Sequence, residues 1–375
     1  MPAELANRAR RRKEDKSKII MIQSTTSPHR KSVCFISETG RVERPLQDPS
    51  VRYRCYHPAE LLIEAGHYCS IISAPKFYEN PNLESDVHIF HRPNMARAGF
   101  ADVIRLLRKQ GKPVIADYDD LIFGTPDIAL ESSAVKNGTL TPDKAIAAFS
   151  SNLAGLREFD TVTTSTEPLA DKVREFNPGA RVLVVPNIVP PSILSVQSGF
   201  ETHLRTRSAT TIGYFAGTKS HDRDFPVVEA ALHRVLAENS NLSLLVVGPV
   251  VVPRAIASLP NVSTAPVVNY LRLPSLMAMC STVIAPLEMS AFNACKSRVK
   301  FLEAALSGCR LVATPIPDMQ VIGSTHLTLA NNCDDWYEAL SELPNTNQRR
   351  ELAIRNMNFL QENMKIDGLK KFGEL

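Results

Sequence analysis

From Ser32 onward the chain repeats one pattern, in which apolar runs of strand length alternate with helical stretches and with polar or Gly/Pro punctuation. Strands separated by helices are joined by crossovers, and crossovers make parallel sheets. The first series of strand-like runs covers residues 33–36, 68–72, 87–90, 114–116, 161–164 and 182–185. Helical patterns lie between them, for example 58–65 and 100–109, where Val103, Leu106 and Leu107 are expected on one inward face. A proline-containing stretch without periodicity, 186–208, then interrupts the pattern. A second series follows at 211–215, 242–247, 263–267, 283–286 and 311–313, and its clearest helix runs over 225–236 with Val227, Val228, Ala231, Leu232 and Val235 inward.

The expected fold class is therefore α/β, with two Rossmann-like domains facing a cleft. The expected divisions are a basic disordered arm at 1–30, a Rossmann-like domain at 31–190, a linker at 191–208, a second Rossmann-like domain at 209–350 and a closing helix at 351–375. A length of 375 residues supports two such cores, and 44% hydrophobic with 22% charged residues is the composition of a globular chain. Ligands of open α/β sheets bind outside the carboxyl ends of the strands, which makes the cleft the expected site.

Lys and Arg total 43 against 39 Asp and Glu, a net charge of +4. The excess sits in the first 31 residues, so the body that follows is slightly acidic and unsuited to nucleic acid. The arm itself can touch an anionic lipid surface or remain a solvated tail. Seven cysteines without C-x-x-C spacing point to a reducing compartment, and no apolar run is long enough for a membrane span. A cytoplasmic protein is expected, with the arm offering contact to the inner face of the membrane.

Two segments carry the chemistry. In 292–308 a strand is followed by Lys296, Ser297, Arg298 and Lys300 and then by an expected helix holding Glu303. Unpaired N–H groups and cations at a helix start suit a diphosphate, and a carboxylate two turns along can accept both hydroxyls of a ribose. The same residues could equally be one solvated amphipathic helix. The second segment follows the strand at 211–215, where Gly217, Thr218, Lys219 and Arg223 could cradle phosphate oxygens while Asp224 caps the next helix. On the first domain, Asp117, Asp119 and Asp120 follow the strand at 114–116 and are expected to project into the cleft. They could bind a metal, bind an acceptor, or cap a helix. His91 and Arg92 end another strand, and Arg52, Tyr53 and Arg54 precede a helix; either group could grip an acceptor or serve only packing and surface ion pairs.

In order along the chain, several pieces resemble the GT-B glycosyltransferases, in particular the group-one, family-four type. They are Asp117-Tyr118-Asp119-Asp120, Thr164-Ser165-Thr166, Val185-Pro186-Asn187, Ile212 through Gly217, Ala285-Pro286-Leu287, Phe292-Asn293, Lys296-Ser297, Lys300, Glu303 and Gly308. The resemblance spans about residues 50 to 330. It implies a retaining, metal-independent hexosyl or glycosyltransferase with no resident cofactor, moving a sugar from a nucleotide-diphosphate sugar to a glycan or lipid-linked acceptor, as in bacterial surface polysaccharide biosynthesis.

By the same resemblance, Glu303 would hold the donor ribose, and Lys296 and Ser297 would meet the donor's phosphates or sugar. Together with the loop readings above, Lys219, Arg223, Lys296 and Asp119 would be catalytic, Gly217, Thr218, Ser297, Lys300 and Glu303 would bind the donor, and Arg52, His91, Arg92, Asp117 and Asp120 would face the acceptor. The sequence departs from the family at Cys295, where a second glutamate is usual. A non-catalytic binding subunit of the same fold and a sugar-nucleotide epimerase are the alternatives.

Overall fold

The computed structural model describes residues 30–197, 210–217 and 223–364. Strands β1 (Ser32–Ser37), β2 (Tyr68–Ser73), β3 (Val87–His91), β4 (Val114–Tyr118), β5 (Thr161–Thr164) and β6 (Arg181–Val184) form a six-stranded sheet in the order β2-β1-β3-β4-β5-β6. Strands β7 (Thr211–Phe215), β8 (Ser243–Val247), β9 (Val262–Ala265), β10 (Thr282–Ala285), β11 (Arg310–Ala313) and β12 (Thr328–Leu329) form another, in the order β12-β11-β10-β7-β8-β9. Every pairing is parallel. The fold is thus two-domain α/β and Rossmann-like, as expected.

Helices cover both faces of each sheet, so central strands such as β3 and β10 are buried at every position. In β1 the period of two sends Val33 and Phe35 to one side, against Val51, Cys55, Ala59 and Leu62, and Cys34 and Ile36 to the other. That second side is packed by the helix Phe100–Lys109 through Phe100, Val103, Ile104 and Leu107. This stripe corrects the expected inward face. Ile104 takes the place assigned to Leu106, which is 46% exposed, because spacings of three and four from Phe100 fall on residues 103, 104 and 107. In the second sheet, Ile212, Tyr214, Leu244 and Val246 meet the helix Pro226–Glu238 and Trp336, while Phe215, Val283, Leu311 and Ala313 meet Phe301, Leu302 and Ala305. Tyr53, Val189 and Leu194 join that latter core from the other half of the chain.

The expected loop and helix after β10 are present: a turn, Ala291–Ala294, precedes the helix Val299–Leu306, at whose start Arg298 binds Asp318 with both its main chain and its guanidinium. Two other elements differ. Residues 52–54 are not in a loop. Pro49 at the start of a helical turn and Asp48, whose carboxylate accepts from Ser50 N at 3.1 Å, begin a helix that continues through a π-helical stretch, Arg52–Tyr56, into His57–Glu64. The chain after Pro190 is helical over Pro191–Gln197.

The helix Thr346–Met364 follows the second sheet, and no helix among the described residues is long and apolar enough to cross a membrane. The basic arm up to residue 29, linker residues 198–209, the loop 218–222 and the chain beyond 364 lie outside the described residues.

Candidate functional site

Each sheet reverses its winding at one point, between β1 and β3 in the first and between β7 and β10 in the second. Loops leaving the carboxyl ends of strands diverge there and leave a crevice. The loops after β7 and β10 and the segment 41–52 after β1 line a single cleft of about 750 Å³ together with Arg92, Asp119 and Asp120. It is the space for a ligand of nucleotide-sugar size.

On the first-half wall a buried charge network fixes the side chains. Asp117 lies on β4 (Val114–Tyr118) and is buried. It accepts from Arg54 Nε at 3.0 Å, Arg54 Nη2 at 2.5 Å and Thr163 Oγ1 at 2.6 Å, and His91 Nδ1 lies 3.0 Å from it. Burial alone pushes this carboxyl up, but Arg54 and His91 outweigh burial and hold it at about 2. Asp117 and His91 are each 1% exposed and stand behind the cleft wall, which corrects the expectation that they project into it.

Asp119, two residues on, does reach the cleft. Arg92 Nε donates to it at 2.7 Å, and Arg92 Nη2 donates to Ser50 Oγ at 2.8 Å. Burial raises the Asp119 carboxyl while Arg92 and His91 lower it, leaving it well below the usual carboxylate range. Arg92 is the single non-glycine residue with positive φ among the described residues, at 56°. This left-handed conformation turns its guanidinium back onto Asp119, a strained arrangement held by the ion pair.

On the second-half wall, Gly217, Lys296, Ser297, Lys300 and Glu303 line the cleft. Among the described residues, a Cβ at Gly217 would meet nothing within 4 Å, so none of them demands glycine there. The loop is held from behind by Gly248, whose added Cβ would lie 1.9 Å from Ala216 O. Lys300 Nζ donates to Glu303 at 2.8 Å, and burial together with the Glu303 charge raises the Tyr53 hydroxyl, which is also hydrogen-bonded to that carboxylate. Among the described residues, Lys296 has the Phe292 ring beside it, at 5.7 Å, and forms no ion pair.

Other second-half residues are placed elsewhere. Arg298 is taken by Asp318. Arg223, expected to be catalytic, instead forms a two-point ion pair with Glu288 at 3.1 and 2.9 Å and does not line the cleft. The Asp224 carboxylate accepts from Glu288 N at 3.0 Å and does not cap the following helix. Thr218 and Lys219 lie outside the described residues. Cys295 is 1% exposed, packs with the core of the first half, and has a thiol pushed up to about 12 by burial.

The two walls are tied together. Asn187 Nδ2 donates to Ser297 Oγ at 2.8 Å while its Oδ1 accepts from Arg54 Nη1, and Thr166 Oγ1 donates to Cys295 O at 2.9 Å. Arg52 lies over the Tyr270 ring at 4.2 Å. Arg41, Gln47, Ser50 and Tyr270 line the cleft without having been singled out in the sequence, since none belongs to a motif. Among the described residues no cluster of three or more His, Cys, Asp or Glu could hold a metal ion.

Solved structures with this arrangement are glycosyltransferases. The Anabaena protein HepE, crystallised with UDP and glucose, superposes with a TM-score of 0.52 at 14% identity, covering 92% of this chain and 98% of that one. A glycosyltransferase from Rickettsia africae gives 0.52 at 13% identity over 90% and 97%. A UDP-forming α,α-trehalose-phosphate synthase from Burkholderia xenovorans, in complex with glucose-6-phosphate, gives 0.52 at 11% over 92% and 95%. This chain has the GT-B fold. No protein-family model matches it, and no curated protein matches it in sequence. Within the GT-B fold, the cleft described above is the space between the two Rossmann-like halves.

Proposed function

We propose that the protein transfers a glycosyl group from a nucleotide-diphosphate sugar to a glycan or lipid-linked acceptor, with retention of anomeric configuration. The observation that carries this is one cleft bounded by both sheets, with Lys296, Lys300, Glu303 and Gly217 on one wall and Arg52, Arg92, Asp119 and Asp120 on the other. The donor lies on the second-half wall. Its diphosphate meets Lys296, Lys300 and the Gly217 backbone, and its ribose shares the Glu303 carboxylate with Tyr53 and Lys300.

As the bond from sugar to diphosphate breaks, negative charge grows on the leaving oxygens. Fixed cations in a water-poor cleft stabilise that charge more than they stabilise the bound donor, and this lowers the barrier. Lys296 is best placed for it, because it forms no ion pair among the described residues. In this reading no divalent metal is required, since Arg92 is paired with Asp119 and the buried Asp117 with Arg54 and His91. Asp119 faces the acceptor. The buried Cys295 leaves the donor sugar without the family's usual acidic contact, so sugar choice rests on other groups in the cleft. Work at the inner face of the membrane in surface polysaccharide synthesis fits such a donor and acceptor, with the basic arm as the lipid contact.

The test is calorimetric titration of UDP, GDP, dTDP and CMP into the protein, with EDTA and then with Mg²⁺. One nucleotide should bind without metal, and Lys296→Ala or Glu303→Ala should weaken it about tenfold or more while Asp119→Ala leaves it unchanged. Wild-type affinity in the first two variants sinks the donor site. With the cognate sugar nucleotide, a glycosylated product shared with an acceptor separates transfer from epimerisation, and its anomeric signal by NMR decides retention.

A further inference from the structure

Most arginines around the cleft are matched to carboxylates: Arg54 to Asp117, Arg92 to Asp119, Arg298 to Asp318. Two are not. Arg52 is 6% exposed and lines the cleft, yet its guanidinium has only a 3.3 Å hydrogen bond from Nη1 to Leu46 O and the faces of Tyr270 and Tyr53. Arg41 lines the same cleft, and its Nη1 donates to Gln47 O. Leu46 and Gln47 are consecutive residues of one 3₁₀ turn, Pro45–Gln47, so the two guanidiniums dock on neighbouring carbonyls. A carbonyl oxygen orients a guanidinium without neutralising it. Two like charges are therefore gathered at the cleft wall, one of them almost wholly out of solvent, and among the described residues neither forms an ion pair, although Asp48 follows the same turn.

Such an arrangement is stabilised by an incoming anion. Its charge is set by the count: two guanidiniums match a phosphate monoester, which carries about −1.5 to −2 near neutral pH, whereas a carboxylate offsets only one of them. Arginine forks also fit phosphate oxygens two at a time, and the Gln47 side chain on the same wall is a further polar group for the third oxygen. Because this turn belongs to the first half of the chain, which the reading above gives to the acceptor, the anion is assigned to the acceptor.

We propose that Arg41 and Arg52 form a phosphate subsite, and that the acceptor is phosphorylated. The assignment of the phosphate to the acceptor rests on the donor reading above; the anion site itself does not.

Calorimetry with inorganic phosphate, run on protein already saturated with the nucleoside diphosphate that binds, tests it. Phosphate should bind one to one, and Arg41→Gln and Arg52→Gln should each weaken it about tenfold or more while nucleotide affinity stays at the wild-type value. A hexose 6-phosphate should compete with phosphate, and the unphosphorylated hexose or its uronic acid should not. Absence of phosphate binding to the nucleotide-loaded protein overturns the proposal. So does a loss of nucleotide affinity in Arg41→Gln and Arg52→Gln equal to that in Lys296→Ala, which would give both arginines to the donor. Arginine-dependent phosphate binding with no nucleotide binding keeps the anion site and removes the donor reading. Should Arg52→Gln not fold, the exposed Arg41→Gln decides alone.

Discussion

At the residue scale the protein concentrates ionisable groups where water is scarce, and this sets its response to acid. His57 is 5% exposed, with Nδ1 at 2.9 Å from Ile188 O and Nε2 without a partner. The carbonyl can only accept, so Nδ1 carries the proton of a neutral ring. A second proton on Nε2 would be buried without an acceptor, and burial accordingly lowers this histidine from 6.5 to about 4. The unfolded chain takes that proton at a higher pH. The stability due to His57 is therefore complete above pH 6.5 and is lost as pH falls toward 4, amounting to about 3 kcal/mol.

His88 shifts in the same direction through burial, and Asp117, held at about 2, adds a further loss below its ordinary 3.8. Urea unfolding at pH 7, 5.5 and 4.5 should give steadily lower midpoints, with a shallower fall in His57→Gln, which can still donate to Ile188 O. A midpoint constant over that range contradicts the assignment. Asp117→Asn, by contrast, leaves Arg54 buried without its counter-charge and should cost about 3–5 kcal/mol at pH 7, read from the same urea curves.

At the scale of elements, the loop after β7 separates a glycine kept for the fold from one that none of the described residues demands. Gly248 has φ of 122° and backs onto Ala216 O, so Gly248→Ala is both strained and clashing. It should lose about 2–4 kcal/mol in thermal or urea unfolding. Gly217→Ala meets none of the described residues and should change stability by less than about 0.5 kcal/mol, while the new methyl group lowers affinity for the nucleoside diphosphate. Equal destabilisation of the two variants would remove the distinction. The segment 291–306 makes a related point about legibility. Its cations and Glu303 stand out in the sequence, but the partner that takes Arg298 at the start of its helix is Asp318, twenty residues away on another element. No local periodicity records that partner.

At the scale of the whole molecule, the loop at 295–297 is fastened to the opposite half through Thr166 to Cys295 O and Asn187 to Ser297. Binding of a nucleoside diphosphate at Lys296 and Glu303 should therefore slow amide hydrogen exchange near residues 166 and 187 as well as over 296–303. Protection confined to the second half would show the fastening to be without effect.

What the sequence by itself determined is the layered α/β architecture and its strands, except the two-residue β12, which is too short to carry a period, since apolar periods of two and 3.6 are local and survive without knowledge of partners. It also determined the cationic character of the segment at 296–300. Which charges stay available was decided only by the tertiary structure. Arg54, Arg92, Arg223 and Arg298 all meet carboxylates distant in the chain, while Lys296, Arg41 and Arg52 form no ion pair among the described residues. The physical reason is that a charge is neutralised by whatever lies within a few ångströms in space, and the folding of two sheets around a cleft, not the order of residues, sets those distances.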